Sequence, residues 1–325
     1  MSGTVEAKEK GSGGGLDVKR ILKNYGIVIA FFLICVALAS MTPIFLKWAN
    51  VLNVIRQTSI VGIMAVGMTF VILTGGIDLS VGSLLAISGA VAAGLLKQGN
   101  SLIVVVVAAL LIGAVLGLAN GLLITIGRIT PFVVTLGMMS IARSLTLIYC
   151  NGYPISGFDE AFRFIGGGDI AGMPFPIVVF LLTVAIAWVI LSQTRLGRYT
   201  YAIGGNEETV RLSGIRSKVY KTIVYVLSGV TAAISALILT SRLNSAGPVA
   251  GQGYELDVIA AVVIGGTSLS GGRGSVWGTL VGALLIGVIN NGMILLGISP
   301  YFQLLVKGLI IIGAVLLDRL REESD

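Results

Sequence analysis

Long apolar runs, most near the length of a bilayer-crossing helix, follow one another along this chain, separated by short polar or glycine-rich stretches. About 20 apolar residues carry a helix across a hydrocarbon core. Runs of this kind stand at 25–41, 57–74, 79–96, 102–126, 131–150, 175–192, 222–240, 257–270, 275–296 and 301–317. The pattern predicts an all-α polytopic membrane protein with about ten transmembrane helices. The eighth run is the weakest, since Val258–Leu269 offers only twelve residues. If the short segments are re-entrant, the count falls to eight or nine. Residues 1–20, rich in glycine and polar side chains, read as a disordered cytoplasmic tail, and 21–325 as one transmembrane domain.

Composition points the same way. Of 325 residues, 55% are hydrophobic and 11% charged, with mean hydropathy +0.98. A soluble domain carries roughly a quarter charged residues. Too few polar side chains exist to cover a water-facing surface, so the solvent for most of the chain is the lipid bilayer. The formal charge of +7 reads as loop lysine and arginine rather than a nucleic-acid surface. With the N-terminus inside and the spans alternating, fifteen of the twenty-two basic residues fall on the cytoplasmic side. Both termini are then cytoplasmic. Arg143 and Lys307 lie too deep to assign by this rule.

One interruption is unusual. In ILTGGIDLSVG (72–82) Asp78 is the only charged residue between Ile60 and Leu96. As an N-cap near the membrane surface, Asp78 or Ser80 would simply start the third span. As an intramembrane carboxylate, Asp78 would belong to a translocation path or a conformational lock. GGIDLSVG (75–82) and GGTSLSGG (265–272) share G-G-x-x-L-S-x-G, and each sits between apolar runs. Ten spans divided into two fives would have opposite topology. Paired glycine-interrupted segments then point to an inverted-repeat transporter whose broken helices line a cavity. Gly75, Gly76, Asp78, Ser80, Gly265 and Gly266 are the resulting gate or path candidates. Asn290 and Asn291 join them from the ninth span. Asn120, Gln303 and Lys307 are further polar residues in spans, for which hydrogen bonding between helices is the plainer role.

The longest basic loop is RLGRYTYAIGGNEETVRLSGIRSKVYK (195–221). Asn206 suits an N-cap, Glu207 and Glu208 a first helical turn, and Gly214 the residue past the end. A short amphipathic helix, 207–213, is predicted there, suited to a cleft in a soluble partner. The opposite-side loop Asn151–Pro174 is either an ordered cap or a mobile segment.

These stretches resemble the membrane permeases of ribose-type ABC sugar importers. The residues that carry the resemblance are AVGMTFVILTGGIDLSVGSLLAISGAVAA (65–93), RLGRYTYAIGGNEETVRLSGI (195–215), GYELDVIAAVVIGGTSLSGGRGSVWGTLVGALLIG (253–287), NNG (290–292) and LLVKGLIIIGAVLLDR (304–319). The resemblance implies an inner-membrane permease domain that pairs with a second copy of itself as a homodimer. It also implies separate ATP-binding subunits and a periplasmic or lipid-anchored sugar-binding protein as partners. Residues Asn206, Glu207, Glu208, Arg211 and Gly214 would then contact the ATPase. Glu208 and Gly214 keep the E-to-G spacing of the related E-A-A-x-x-x-G coupling motif, with Thr209 and Val210 in place of its alanines.

Catalytic chemistry is missing from the chain. Histidine is absent, the two cysteines lie far apart in apolar runs, and no G-x-x-x-x-G-K-[ST] phosphate loop occurs. No catalytic residue, metal ligand or cofactor is expected. The rival expectation is a stand-alone, ion-coupled secondary transporter of a small polar solute, which the repeat and Asp78 would also suit.

Overall fold

A computed structural model describes residues 18–322. The expected tail therefore lies, through residue 17, outside the described residues. Twelve helices are formed among them: α1 (Val18–Met41), α2 (Trp48–Leu73), α3 (Val81–Lys97), α4 (Leu102–Thr125), α5 (Pro131–Tyr149), α6 (Glu160–Gly167), α7 (Phe175–Gln193), α8 (Arg195–Leu212), α9 (Ser217–Leu243), α10 (Tyr254–Ile264), α11 (Val276–Leu295) and α12 (Pro300–Glu322). Six are long and apolar enough to cross a membrane: α2, α4, α5, α7, α9 and α11. Three shorter apolar stretches, Gly26–Met41, Val81–Lys97 and Pro300–Leu316, lie in α1, α3 and α12. The span expected at 257–270 is different. Its helix, α10, has 11 residues, about 16 Å at 1.5 Å per residue, and ends where Gly265 and Gly266 interrupt the run. Such a helix reaches only about halfway through a 30 Å hydrocarbon core.

Helices α2 and α9 form the centre, buried along most of their length. They run antiparallel: Ser235 donates to the Ile60 carbonyl, while a side chain at Gly67 would strike Ser228 and Thr231. Helix α4 packs on α9 through Gly113, Gly117 and Gly121, one per turn. A Cβ at any of them would meet the α9 backbone at Gly229, Tyr225 or Thr222. In lipid no hydrophobic drive holds two helices together, so this close backbone approach supplies the contact. The opposite face of α4 is apolar and exposed at Leu111, Val115, Leu118 and Leu122.

The two copies of G-G-x-x-L-S-x-G lie side by side at one end of the bundle, where the Gly272 N–H donates to the Leu73 carbonyl at 2.9 Å. One copy joins α2 to α3 and the other α10 to α11, connections that do not correspond in a five-plus-five division, so this pair is not a sign of inversion. A different pair of glycine-led segments stands at corresponding places in the two halves. GIDLSVG (76–82) leads into α3 beside the end of α2, and GYELDVI (253–259) opens α10 beyond the end of α9. The two starts meet inside the bundle, where a Cβ at Gly82 would strike the Gly251 carbonyl and the Glu255 carboxylate.

Loop 151–174 is an ordered cap. It carries β1 (Ile155–Ser156), α6, β2 (Asp169–Ile170) and β3 (Met173–Pro174). Strand β1 pairs antiparallel with β4 (Ser245–Ala246), which follows α9. Asp159 caps α6 by accepting from the Phe162 N–H. Ser241 of α9 accepts from the Gly166 N–H and donates to the Phe162 carbonyl, locking the cap onto the bundle.

Candidate functional site

A polar cleft of about 190 Å³ opens among α2, α9, α10, α11 and α12. Its floor is an ion pair: Lys307 Nζ lies 2.8 Å from Asp257 Oδ2, with 21% and 4% of the two side chains exposed. Asn290 Nδ2 approaches the same carboxylate oxygen at 3.5 Å. Gln57, Thr58, Gln303, Arg242 and Tyr254 complete the polar lining, among Ile60, Val61, Ile286 and Ile294. The geometry follows from the helices. Asp257 falls in the first turns of α10, where a carboxylate suits the helix dipole. Asn290 and Lys307 face it from α11 and α12. Two members are anchored already: Gln303 donates to the Ile298 carbonyl and Arg242 to Asn53. A carboxylate, an ammonium, amides and a tyrosine in one recess are complementary to a small molecule bearing several hydroxyls, which needs donors and acceptors in alternation.

The sequence candidates for a path divide across the molecule. Only Asn290 lines this cleft. Asn291 instead exchanges two 3.0 Å hydrogen bonds with Asn50, fastening α11 to the start of α2. Gly265 ends α10 against Gly278 and Thr279 of α11, and Gly266 follows with φ +88°. Asp78 is fully buried elsewhere. It accepts from the Ser80 N–H at 3.0 Å and from the hydroxyls of Ser80 and Ser228. Ser80 in turn accepts from Asn120 at 3.0 Å. This node ties the start of α3 to α4 and α9. Gly76 presses against the Tyr225 ring, leaving no room for a side chain.

Gly75 belongs to a third place. With φ +74° it turns the chain beside Ser270 and Gly271. Gly204 of α8 lies against the Leu73 carbonyl and Gly272, so three glycine-bearing segments meet there without side chains between them. From this junction α8 continues to a break at Asn206, whose φ of −162° and ψ of 99° are not helical. Asn206 Oδ1 accepts from the Thr209 N–H at 2.9 Å, capping a second segment. That segment stops before Gly214, with φ +80°.

Within it the charges have separate occupations. Glu207 is held by Lys221 at 2.8 Å and Ser217 at 3.0 Å. Burial pushes its carboxyl up, but the Lys221 ammonium and the Ser217 hydroxyl more than offset this and hold it below the usual carboxylate range. Glu208 and Arg211 form an exposed pair one turn apart, and the guanidinium holds Glu208 below the usual range as well. Val210 is buried while Leu212 is 77% exposed.

The cleft and α8 lie at opposite ends of the bundle. Gln57 and Thr58 of α2 border the cleft, and Leu73 touches Gly204 and Gly272. Sixteen residues of helix separate them, about 24 Å.

The Asp257–Lys307 pair escaped the sequence reading, although Lys307 and Gln303 stood out as polar residues in a span. The available signal was one lone acid and one lone base in neighbouring apolar stretches. Opposite charges in a membrane that have no other partner seek each other. Among the described residues, no three His, Cys, Asp or Glu side chains cluster in a way that could hold a metal ion.

Comparison with known proteins places the chain. Residues 50–315 match the family described as the permease component of branched-chain amino acid transport systems. The ribose import permease protein RbsC of Bacillus subtilis is 50% identical over 92% of this chain and 94% of its own length. Its counterpart in Escherichia coli is 47% identical over 96% and 98%. The D-allose transport system permease protein AlsC of Escherichia coli is 38% identical over 91% and 92%. A match covering residues 50–315, with relatives aligned nearly end to end, is membership rather than resemblance: the chain belongs to this family of transport-system permeases.

Proposed function

We propose that this protein is the membrane permease of an ATP-driven importer of ribose or a related monosaccharide. The single observation that carries the proposal beyond family membership is the axial division of the molecule. A cleft lined for a polyhydroxylated solute stands at one end, and a capped, charged helix on a glycine junction stands at the other. In this reading the cleft faces the outside and receives sugar from a periplasmic or lipid-anchored binding protein. The α8 end faces the cytoplasm and docks ATP-binding subunits, which hydrolyse ATP because this chain has no phosphate loop. Both termini are then cytoplasmic, in the inner membrane of a bacterium. The relatives that import ribose and allose support the sugar class.

The permease works as a homodimer, each copy built of two five-helix halves related by inversion, with α3 and α10 as corresponding short helices. The antiparallel packing of α2 on α9 supports that arrangement. Transport is a population shift: nucleotide binding favours one permease state only as far as the partner contacts α8 differently in the two states. At the docking face, Leu212, Glu208 and Arg211 are presented, while Glu207 and Asn206 shape the helix from within.

Co-expression with nucleotide-binding subunits from the same genome tests this directly. A subunit that stays bound through purification in detergent, and whose ATPase rate rises in the complex, is the expected result. A permease that retains none of them, yet takes up solute on a proton or sodium gradient, would assign it to the ion-coupled carriers instead.

A further inference from the structure

A cavity of about 260 Å³ lies where the turn from α4 to α5 meets the start of α9. We propose that it is a headgroup site for an anionic phospholipid, with the lipid phosphate held by Arg128, Lys218 and Lys221. All three cations line the cavity, together with Thr125, Thr130 and one carboxylate, Glu207. Glu207 is already engaged by Lys221 and Ser217. Among the described residues the side chains of Arg128 and Lys218 make no hydrogen bond or ion pair. Arg128 holds φ +55°, a left-handed conformation uncommon for a residue with a side chain.

Two cations free of partners, in a recess that carries net positive charge, need a counter-anion. The neighbouring surface says which kind. Leu111, Val115, Leu118, Leu122 and Ile126 recur every three or four residues and are all exposed, making an apolar stripe down the outer face of α4. The stripe ends beside Arg128. From Val115 to Ile126 is about 16 Å of helix, close to half of a 30 Å hydrocarbon core. Ile129, Phe132 and Val133 continue the exposed apolar surface on the other side of the turn. An acyl chain lying along α4 would therefore bring its phosphate diester to the cavity mouth. A soluble phosphate shares the headgroup chemistry but gains nothing from the stripe. Basic pockets between spans on the cytoplasmic side recognise anionic headgroups in just this way.

Native mass spectrometry of the full chain, released from micelles containing phosphatidylcholine with increasing phosphatidylglycerol, tests the site. The expected result is one preferentially retained phosphatidylglycerol per chain. Arg128→Gln with Lys218→Gln should weaken retention about 30-fold, roughly five-fold for each cation removed. Arg128→Lys with Lys218→Arg, which keeps both charges, should retain the lipid and so controls for folding. Lys47→Gln with Arg163→Gln, which removes two cations elsewhere, should leave retention unchanged. Equal loss in that variant would overturn the site in favour of diffuse surface charge. Equal retention of phosphatidylcholine, or full displacement by millimolar glycerol 3-phosphate, would overturn the lipid assignment.

Discussion

Asp257 and Lys307 give up most of their hydration to stand 2.8 Å apart in the cleft. Removing one member of an enclosed pair leaves the other charged and unsolvated, a loss of about 3–5 kcal/mol. Lys307→Met should therefore lower the melting temperature and the yield of folded protein. Asp257→Asn combined with Lys307→Met leaves no orphan charge and should recover most of that stability. Uptake should nonetheless stay below about a tenth of wild type, because the cleft has lost its ion pair and keeps only Arg242 as a charged group. Thermal unfolding and uptake assays on the three proteins separate the effects. Recovery of transport together with stability in the double variant would make the pair structural only. Asp78 has a different environment, with hydroxyl and amide donors instead of a cation. It was legible in the sequence as an oddity, since a lone carboxylate in a long apolar stretch is conspicuous. Its partner Ser228 was not, since the two are 150 positions apart and a serine on an apolar helix carries no label.

The elements differ in how far local sequence determines them. The capped segment after Asn206 was readable because every part of the signal is local: the cap, two first-turn carboxylates and a terminal glycine. The helical stretch 195–205 before it was not. Gly204 stands inside that stretch because two backbone segments press against it, a long-range need that local sequence does not reveal. The short helix α10 was the weakest of the expected spans, and its length was the correct warning. The pairing of the two glycine motifs misled, because similar loops at the same end answer the same packing need. At the α8 tip, Leu212 is the exposed apolar side chain of a helix otherwise presenting Glu208 and Arg211. Leu212→Asp should leave folding and membrane insertion unchanged and cut permease-stimulated ATPase activity about ten-fold or more, since burying a charge in a partner's cleft is costly. Thr209→Ala, which keeps the backbone N–H that Asn206 accepts, should have little effect. Full stimulation by the Leu212 variant would place the docking contact elsewhere on α8.

At the scale of the whole molecule, the membrane class was dictated by composition, because a chain with 11% charged residues cannot cover itself in water. How the helices are arranged was not, because in lipid their packing depends on glycine stripes and scattered hydroxyls rather than on hydrophobic periodicity. The arrangement separates the polar cleft from the start of the glycine junction by about 24 Å along α2. Any coupling between them must pass through the buried α2–α9 centre and the glycine junction. In the proposed reading the work comes from ATP on separate subunits. The decisive measurement is solute uptake into proteoliposomes holding this chain, with radiolabelled ribose and its binding protein outside, with and without nucleotide-binding subunits and ATP inside. Accumulation above the external concentration only when both the subunits and ATP are present is the predicted result. Uphill accumulation by the chain alone, driven by an ion gradient, would contradict the account.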